Sequence, residues 1–182
     1  MWFFRVVAIL ILLDAVYIFT IWPNWSEYSA GKVKKTEFIN RYLNLKQQQP
    51  ELPKLQWKPI PITWIPKHMQ RAVLVAEDAR FYEHRGIDVE AFKEAMDYNL
   101  EHRNFKYGGS TISQQTIKNM FLSSSRNPLR KWHELILTFG MEISLSKKRI
   151  LEIYLNVAEF GKGIYGIEAA AQHYWGISAT SL

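Results

Sequence analysis

In the stretch Ala76-Glu-Asp-Ala-Arg-Phe-Tyr-Glu-His-Arg-Gly-Ile-Asp88, residues Glu77, Phe81 and His84 recur at i, i+4 and i+7. A helix running to a stop at Gly86 would set that carboxylate, ring and imidazole on one face and turn Asp78 elsewhere. A carboxylate beside an apolar ring sheds water and becomes a better acceptor for the proton of a substrate hydroxyl near neutral pH. Glu77 is therefore the first candidate for a general base. The plainer alternative is a surface helix whose Glu77 pairs with Arg80 or Arg71, because purely structural ion pairs also involve such carboxylates.

A second stretch, Gly108-Gly-Ser-Thr-Ile-Ser-Gln-Gln-Thr-Ile-Lys-Asn-Met-Phe-Leu122, carries Thr111 and Gln114 at capping-box spacing. The two glycines leave room for a substrate to approach the backbone, and the free amides of a first helical turn attract anions. On that helix Gln115, Lys118 and Asn119 share one face, with Ile112, Thr116, Met120 and Ile117 on another. Alone, a Lys-Asn pair is a solvated face; beside an anion-attracting helix start it becomes a candidate phosphate or sugar contact.

Asn127-Pro128 opens a third helix as cap and first position. Leu129, Trp132, Ile136, Phe139 and Ile143 follow at steps of three and four as its predicted buried stripe. Arg130, Lys131 and Glu134 flank the stripe, and Arg130 with Glu134 reads on its own as an ordinary i, i+4 ion pair. His133-Glu134-Leu-Ile-Leu137 lacks the second histidine of a zinc protease, so no metal site follows. Ser146 caps a fourth helix, core-like from Ile150 to Val157. Gly161-Lys-Gly-Ile-Tyr-Gly166 has dinucleotide-binding spacing but follows a helix rather than a strand, which makes it a tight loop before a helix over Ile167 to Tyr174.

These helices must be held by the rest of the chain. Its 182 residues, 48% of them hydrophobic, suffice for one domain and an appendage. Cysteine is absent, which excludes disulfides and thiolate metal sites. Twenty-three basic against seventeen acidic residues leave +6, a balance that suits phosphate-bearing or membrane-surface partners. Trp2 to Trp22 is almost wholly apolar and, as helix, about 31 Å long, which reads as a single membrane anchor (residues 2–22) rather than a cleaved signal peptide. Asp14, mid-span, costs about 3 kcal/mol on insertion scales and marks a helix contact if the span is real. Trp2, Trp22 and Trp25 would mark the interfaces. Charge counting, with Lys32, Lys34 and Lys35 after the span, puts the remainder inside. Residues 23–65, punctuated by Pro50, Pro53, Pro59 and Pro61, read as an extended linker with a short helix within Lys32 to Lys46. Leu55 to Ile65 reads as a piece laid along the domain edge. Pro66 starts a helix leading into Glu77, and residues 66–182 form the domain. Arg103 to Gly109 reads as a loop whose Phe105 and Tyr107 could stack nucleobases, but no nucleic-acid motif surrounds them.

Four motifs in this order, Glu77-Asp-x-x-Phe81-x-x-His84-x-Gly86, Gly109-Ser-Thr-Ile-Ser-Gln-Gln115 with Lys118-Asn119, Arg130-Lys-x-x-Glu134, and Lys148-Arg-Ile-x-x-x-Tyr154-Leu-Asn156, resemble the peptidoglycan glycosyltransferase family. That family is found alone in monofunctional biosynthetic transglycosylases and as the first domain of bifunctional penicillin-binding proteins. The likeness spans about residues 65 to 176. It implies a mainly α fold, a lysozyme-like helical head with a smaller membrane-associated jaw. It also implies anchoring in the bacterial cytoplasmic (inner) membrane by the N-terminal span, with the catalytic domain on the periplasmic or outer side, against the charge count. The implied reaction polymerises lipid II into β-1,4 glycan strands, with inversion and release of undecaprenyl pyrophosphate.

Carried over by motif, Glu77 resembles the base for the acceptor 4-hydroxyl and Glu134 a second carboxylate on the donor side. Lys118, Arg130 and Lys131 would hold the pyrophosphate, whose charge grows as the sugar leaves. Gln115, Asn119, Ser110, Thr111, Phe81, His84 and Tyr154 fall at matching substrate-side positions. The resemblance requires no cofactor; a Mg2+ or Mn2+ ion would be held by the substrate pyrophosphate, since no dedicated cage is present. Implied partners are lipid II, the growing glycan, membrane lipid and other cell wall synthesis proteins, with no nucleic acid. Family members continue past Trp175, so the chain is expected to be truncated. Two alternatives stand beside this reading: a lysozyme-like glycan-cleaving enzyme, which also needs carboxylates in a helical cleft, and an inactive membrane-tethered glycan-binding scaffold.

Overall fold

The computed structural model describes residues 1–103, 108–123, 125 and 127–182; the aromatic pair Phe105 and Tyr107 falls in 104–107, outside the described residues. The chain is mainly helical. Helix α1 (Trp2–Ile21) is followed by α2 (Glu37–Gln48), strand β1 (Gln56–Trp57), α3 (Lys67–Glu77), α4 (Val89–Glu101) and α5 (Ile112–Phe121). Then come α6 (Pro128–Ser144), α7 (Lys147–Val157), the hairpin strands β2 (Glu159–Gly161) and β3 (Ile164–Tyr165), and α8 (Ile167–Trp175).

Helix α5 is the axle. Ile112, Thr116, Ile117 and Met120 are buried as their spacing predicts, and α6, α7 and α2 pack around them. A short helix with polar residues can be buried this deeply because its groups are satisfied: Thr116 Oγ1 donates back to Ile112 O at 2.8 Å. Leu137 and Met141 of α6 and Ile150, Leu151, Ile153, Leu155 and Val157 of α7 complete the main core. Boundaries follow the capping residues. Thr111 and Gln114 form the full reciprocal box, Asn127 accepts from Leu129 N with Pro128 at the start of α6, and Ser146 accepts from Arg149 N.

The segment read as a connector is packed. Trp25, Ile60, Ile62 and Ile65 lie in the main core, while Ile39 and Tyr42 of α2 close a second cluster with Tyr165. Trp25 is therefore not an interface marker. Arg149 donates to the carbonyls of Tyr28 and Ala30, at 2.7 and 3.3 Å. The predicted edge piece is present: β1 pairs in parallel with β3, and β3 pairs antiparallel with β2, so the glycine-spaced loop is a hairpin. Asn156 clamps the next residues, accepting from Ile60 N at 2.8 Å and donating to Ile60 O at 2.9 Å.

Two helical expectations fail for physical reasons. Helix α3 stops at Glu77, and Asp78, with φ −165° and ψ 76°, leaves the helix because its carboxylate is drawn inward. Residues 79–86 are turns, so Glu77, Phe81 and His84 do not share a helical face. In α6 the stripe is reversed. Leu129, Trp132, Phe139 and Ile143 are 53%, 49%, 45% and 86% exposed, while His133, Glu134 and Thr138 are buried. Leu137, Gly140 and Met141 are buried beside them, so α6 is apolar outward as well as inward, and the outward apolar face suits a helix lying against lipid rather than water.

Candidate active site

The turn after α3 is built by Asp78. Its carboxylate accepts from His84 Nε2 at 2.9 and 3.1 Å and from Ile112 N at 2.9 Å, tying the turn to the first residue of α5. The anion attracted by that helix start is thus the protein's own. A continuous helix would turn Asp78 away from the site; the Glu-Asp doublet followed by His84 before a glycine is the local signal of this turn. Phe81 is fully buried in the core and His84 is nearly so, which leaves the ring no surface to offer a substrate. Thr111, also buried, caps α5 and donates to Gly86 O at 2.6 Å. Gly86 has φ +92°, and a Cβ there would lie 2.8 Å from Thr138 Cγ2, so only glycine brings this turn against α6.

Arg80 grips Asp88 through two hydrogen bonds of 2.9 and 2.8 Å, and Asp88 accepts from Ala91 N at 2.9 Å as the cap of α4. Burial alone would raise the Asp88 carboxyl, but the bonds from Arg80 and Ala91 hold it below the usual range. Ligand atoms of Asp78, His84 and Asp88 lie within 4.8 Å of one another. Arg80 and Ile112 N already occupy the two carboxylates, which makes the group a structural knot.

Pinned this way, Glu77 itself stays exposed at the end of α3. It lines a groove of about 200 Å³ with Asp78, Arg80, Gly109, Ser110 and Thr111. Its Oε2 accepts from Gln115 Nε2 at 2.9 Å, leaving the other oxygen for a second donor. Gln115 is held in turn by Ser110 O at 3.4 Å and by the Tyr154 hydroxyl, which donates to Gln115 Oε1 at 3.4 Å. Burial pushes the Tyr154 phenol far up, with the Glu77 and Asp78 carboxylates adding to the effect, so Tyr154 serves as a donor and not as a base.

The other carboxylate has a different setting. Glu134 is 2% exposed. Its Oε2 accepts from Arg130 Nη1 at 2.6 Å and its Oε1 from Lys131 Nζ. Lys131 also donates to Ser110 Oγ at 3.1 Å, and Arg130 Nε donates to Ser125 O at 2.6 Å. Ser110 therefore joins the two halves: its carbonyl accepts from Gln115, which donates to Glu77, and its hydroxyl accepts from Lys131, which pairs with Glu134, itself paired with Arg130. Lys118 sits one turn beyond Gln115 on α5, half-buried and without a carboxylate partner among the described residues. Asn119 beside it is buried.

Such a site pairs an accessible, half-satisfied carboxylate with an ion-paired cation cluster linked to it through Ser110; the Glu77 groove is not lined by Arg130, Lys131 or Lys118, and Arg130 lines a second groove with Asp14 and His133. The site can accept a proton at one end and stabilise growing negative charge at the other.

A family model described as Transglycosylase matches residues 48–182. The chain is 41% identical over 181 residues to the biosynthetic peptidoglycan transglycosylase of Janthinobacterium sp. (strain Marseille), covering 100% of this chain and 77% of the relative. It is also 41% identical to that of Nitrosospira multiformis, covering 100% and 79%. To the one from Bordetella avium it is 52% identical over 129 residues, covering 66% and 54%.

Proposed function

The chain belongs to the transglycosylase family and is a glycosyltransferase of peptidoglycan synthesis; from that premise we propose how its cleft polymerises lipid II. Glu77 is the base. Gln115 fixes one carboxylate oxygen, and the free one takes the proton of the acceptor sugar's 4-hydroxyl as that oxygen attacks C1 of the donor. Attack from the face opposite the diphosphate inverts the anomeric centre and gives a β-1,4 link. The C1–O bond breaks, and its electron pair leaves with the lipid diphosphate.

Arg130, Lys131 and Lys118 meet the charge that develops there. Glu134 holds the first two in place, so they need no reorganisation as the bond breaks. The cleft's own groups do not make a divalent-ion cage: both Glu134 oxygens are taken by cations, and one Glu77 oxygen by Gln115. A Mg2+ or Mn2+ ion would ride on the substrate diphosphate, and no step here depends on it.

The substrate's lipid places the reaction at a membrane. Helix α1 is long and apolar enough to cross one, and the outward apolar stripe of α6 supports a domain resting on the same bilayer. We place it at the outer face of the bacterial cytoplasmic membrane.

The observation that carries this reading is the unbroken path Glu77–Gln115–Ser110–Lys131–Glu134–Arg130. The test is incubation with labelled lipid II and, separately, with finished glycan. Wild type should lengthen the first and leave the second intact, and Glu77→Gln should bind lipid II without polymer. Shortening of finished glycan with no polymer would favour a hydrolase, and polymer from Glu77→Gln would remove the base.

A further inference from the structure

The anchor carries a carboxylate that the reaction does not use. Asp14 lies within the apolar run of α1, where an unpaired carboxylate is disfavoured. It is not unpaired. Asp14 Oδ1 accepts from His133 Nε2 at 2.7 Å and Oδ2 from Trp132 Nε1 at 3.0 Å, both on α6. The His133 ring also packs on Tyr17, with centroids 4.9 Å apart. Asp14, Ile18 and Ile21 are the half-buried positions on this part of α1 and recur at i, i+4 and i+7, so one face meets the domain.

Further along, Trp22 lies over Gly140, where a Cβ would come within 2.7 Å of Trp22 Cη2. Asp14 to Trp22 and His133 to Gly140 are each about two turns, so the helices run side by side in the same direction.

Trp132 and His133 sit between Lys131 and Glu134 in the chain. The latch therefore grips the very turn of α6 that presents the cation cluster. Asp14, Tyr17, His133 and Arg130 also line one groove of about 750 Å³, together with Leu10 and Leu129. We infer that Asp14 is a positioning residue: by docking α1 on Trp132 and His133 it fixes the orientation, relative to the membrane anchor, of the α6 turn that carries Arg130 and Lys131. A free anchor would let that orientation vary while leaving the cluster itself intact. The inference rests on the glycan-polymerising reading, but its geometric half can be read without activity.

The chain has no cysteine, so Leu10→Cys and Leu129→Cys can be spin-labelled as a pair in vesicles of phosphatidylethanolamine and phosphatidylglycerol. Pulsed EPR should give a narrow distance distribution with Asp14 and a broad one with Asp14→Leu. In unlabelled protein in the same vesicles, Asp14→Leu should lower kcat/KM for lipid II about tenfold, Asp14→Asn, which keeps an acceptor oxygen, no more than about threefold, and Asp14→Leu with His133→Leu no further than Asp14→Leu alone. The membrane-inserted fraction should not fall, since leucine inserts better than aspartate. An unchanged distance distribution would refute the latch. A broadened distribution with kcat/KM within twofold of wild type would refute positioning and leave Asp14 as a mere fastener. A wild type without polymerisation would overturn the function, while the distance measurement would still decide the latch.

Discussion

The two carboxylates of the cleft are the same functional group in opposite circumstances. Glu77 ends a helix, faces solvent and has one hydrogen-bond donor; Glu134 sits mid-helix, buried, with a cation on each oxygen. A base must be reachable and have a lone pair to spare, and only Glu77 does. Glu134 has a cation on each oxygen, and its use is to hold Arg130 and Lys131 in place. Residue type says little here; partners and burial assign the roles.

Glu77→Gln should sharpen the contrast most, with polymerisation lower by about 10³-fold, the range of a lost general base, and thermal stability unchanged because the side chain is exposed. Glycan synthesis from labelled lipid II and a thermal melt read the two parts. Glu134→Gln should affect both. We expect about 10²-fold less polymer, together with about 2 kcal/mol of lost stability, below the 3–5 kcal/mol for a fully buried pair because Lys131 is 41% exposed. Equal stability of the two variants would erase the distinction. Gln115→Ala should lower kcat about tenfold with little change in KM, because it orients Glu77 without neutralising diphosphate. A change confined to KM would move Gln115 to the binding side.

The smallest effect is in acid. The folded Asp88 carboxyl lies below its unfolded value, so its contribution is complete above about pH 4 and is lost as pH falls through the folded value. Amide exchange in residues 79–88 should be flat from pH 8 to about 5, after correction for intrinsic rates, and loosen below about 4. Arg80→Met should remove much of that acid step, because the arginine bonds help to hold the carboxyl low.

Much of this was legible in the chain. Thr111 with Gln114, Asn127 with Pro128, and Ser146 announced helix starts because capping is local chemistry between neighbours. The periodicity of α5 announced its buried face. What escaped depended on distant partners. His84 and a glycine follow Asp78 closely, but Ile112 N, the other donor that draws its carboxylate out of the helix, lies 34 residues further along the chain. The α6 stripe misled because periodicity marks an apolar face without saying whether protein or lipid covers it. Glu77, Gln115, Arg130 and Lys131 stood out in the chain as candidates, but not the Ser110 bridge between them, and Asp14 was legible as a contact without its partners, Trp132 and His133.

The most direct test of the division of labour is equilibrium binding of undecaprenyl diphosphate, which carries the leaving group but cannot react, to wild type, Glu77→Gln and Glu134→Gln. Glu77→Gln should bind within twofold of wild type and Glu134→Gln about tenfold more weakly, as its cations lose their anchor. Equal weakening in both variants, or full binding by Glu134→Gln, would contradict that division.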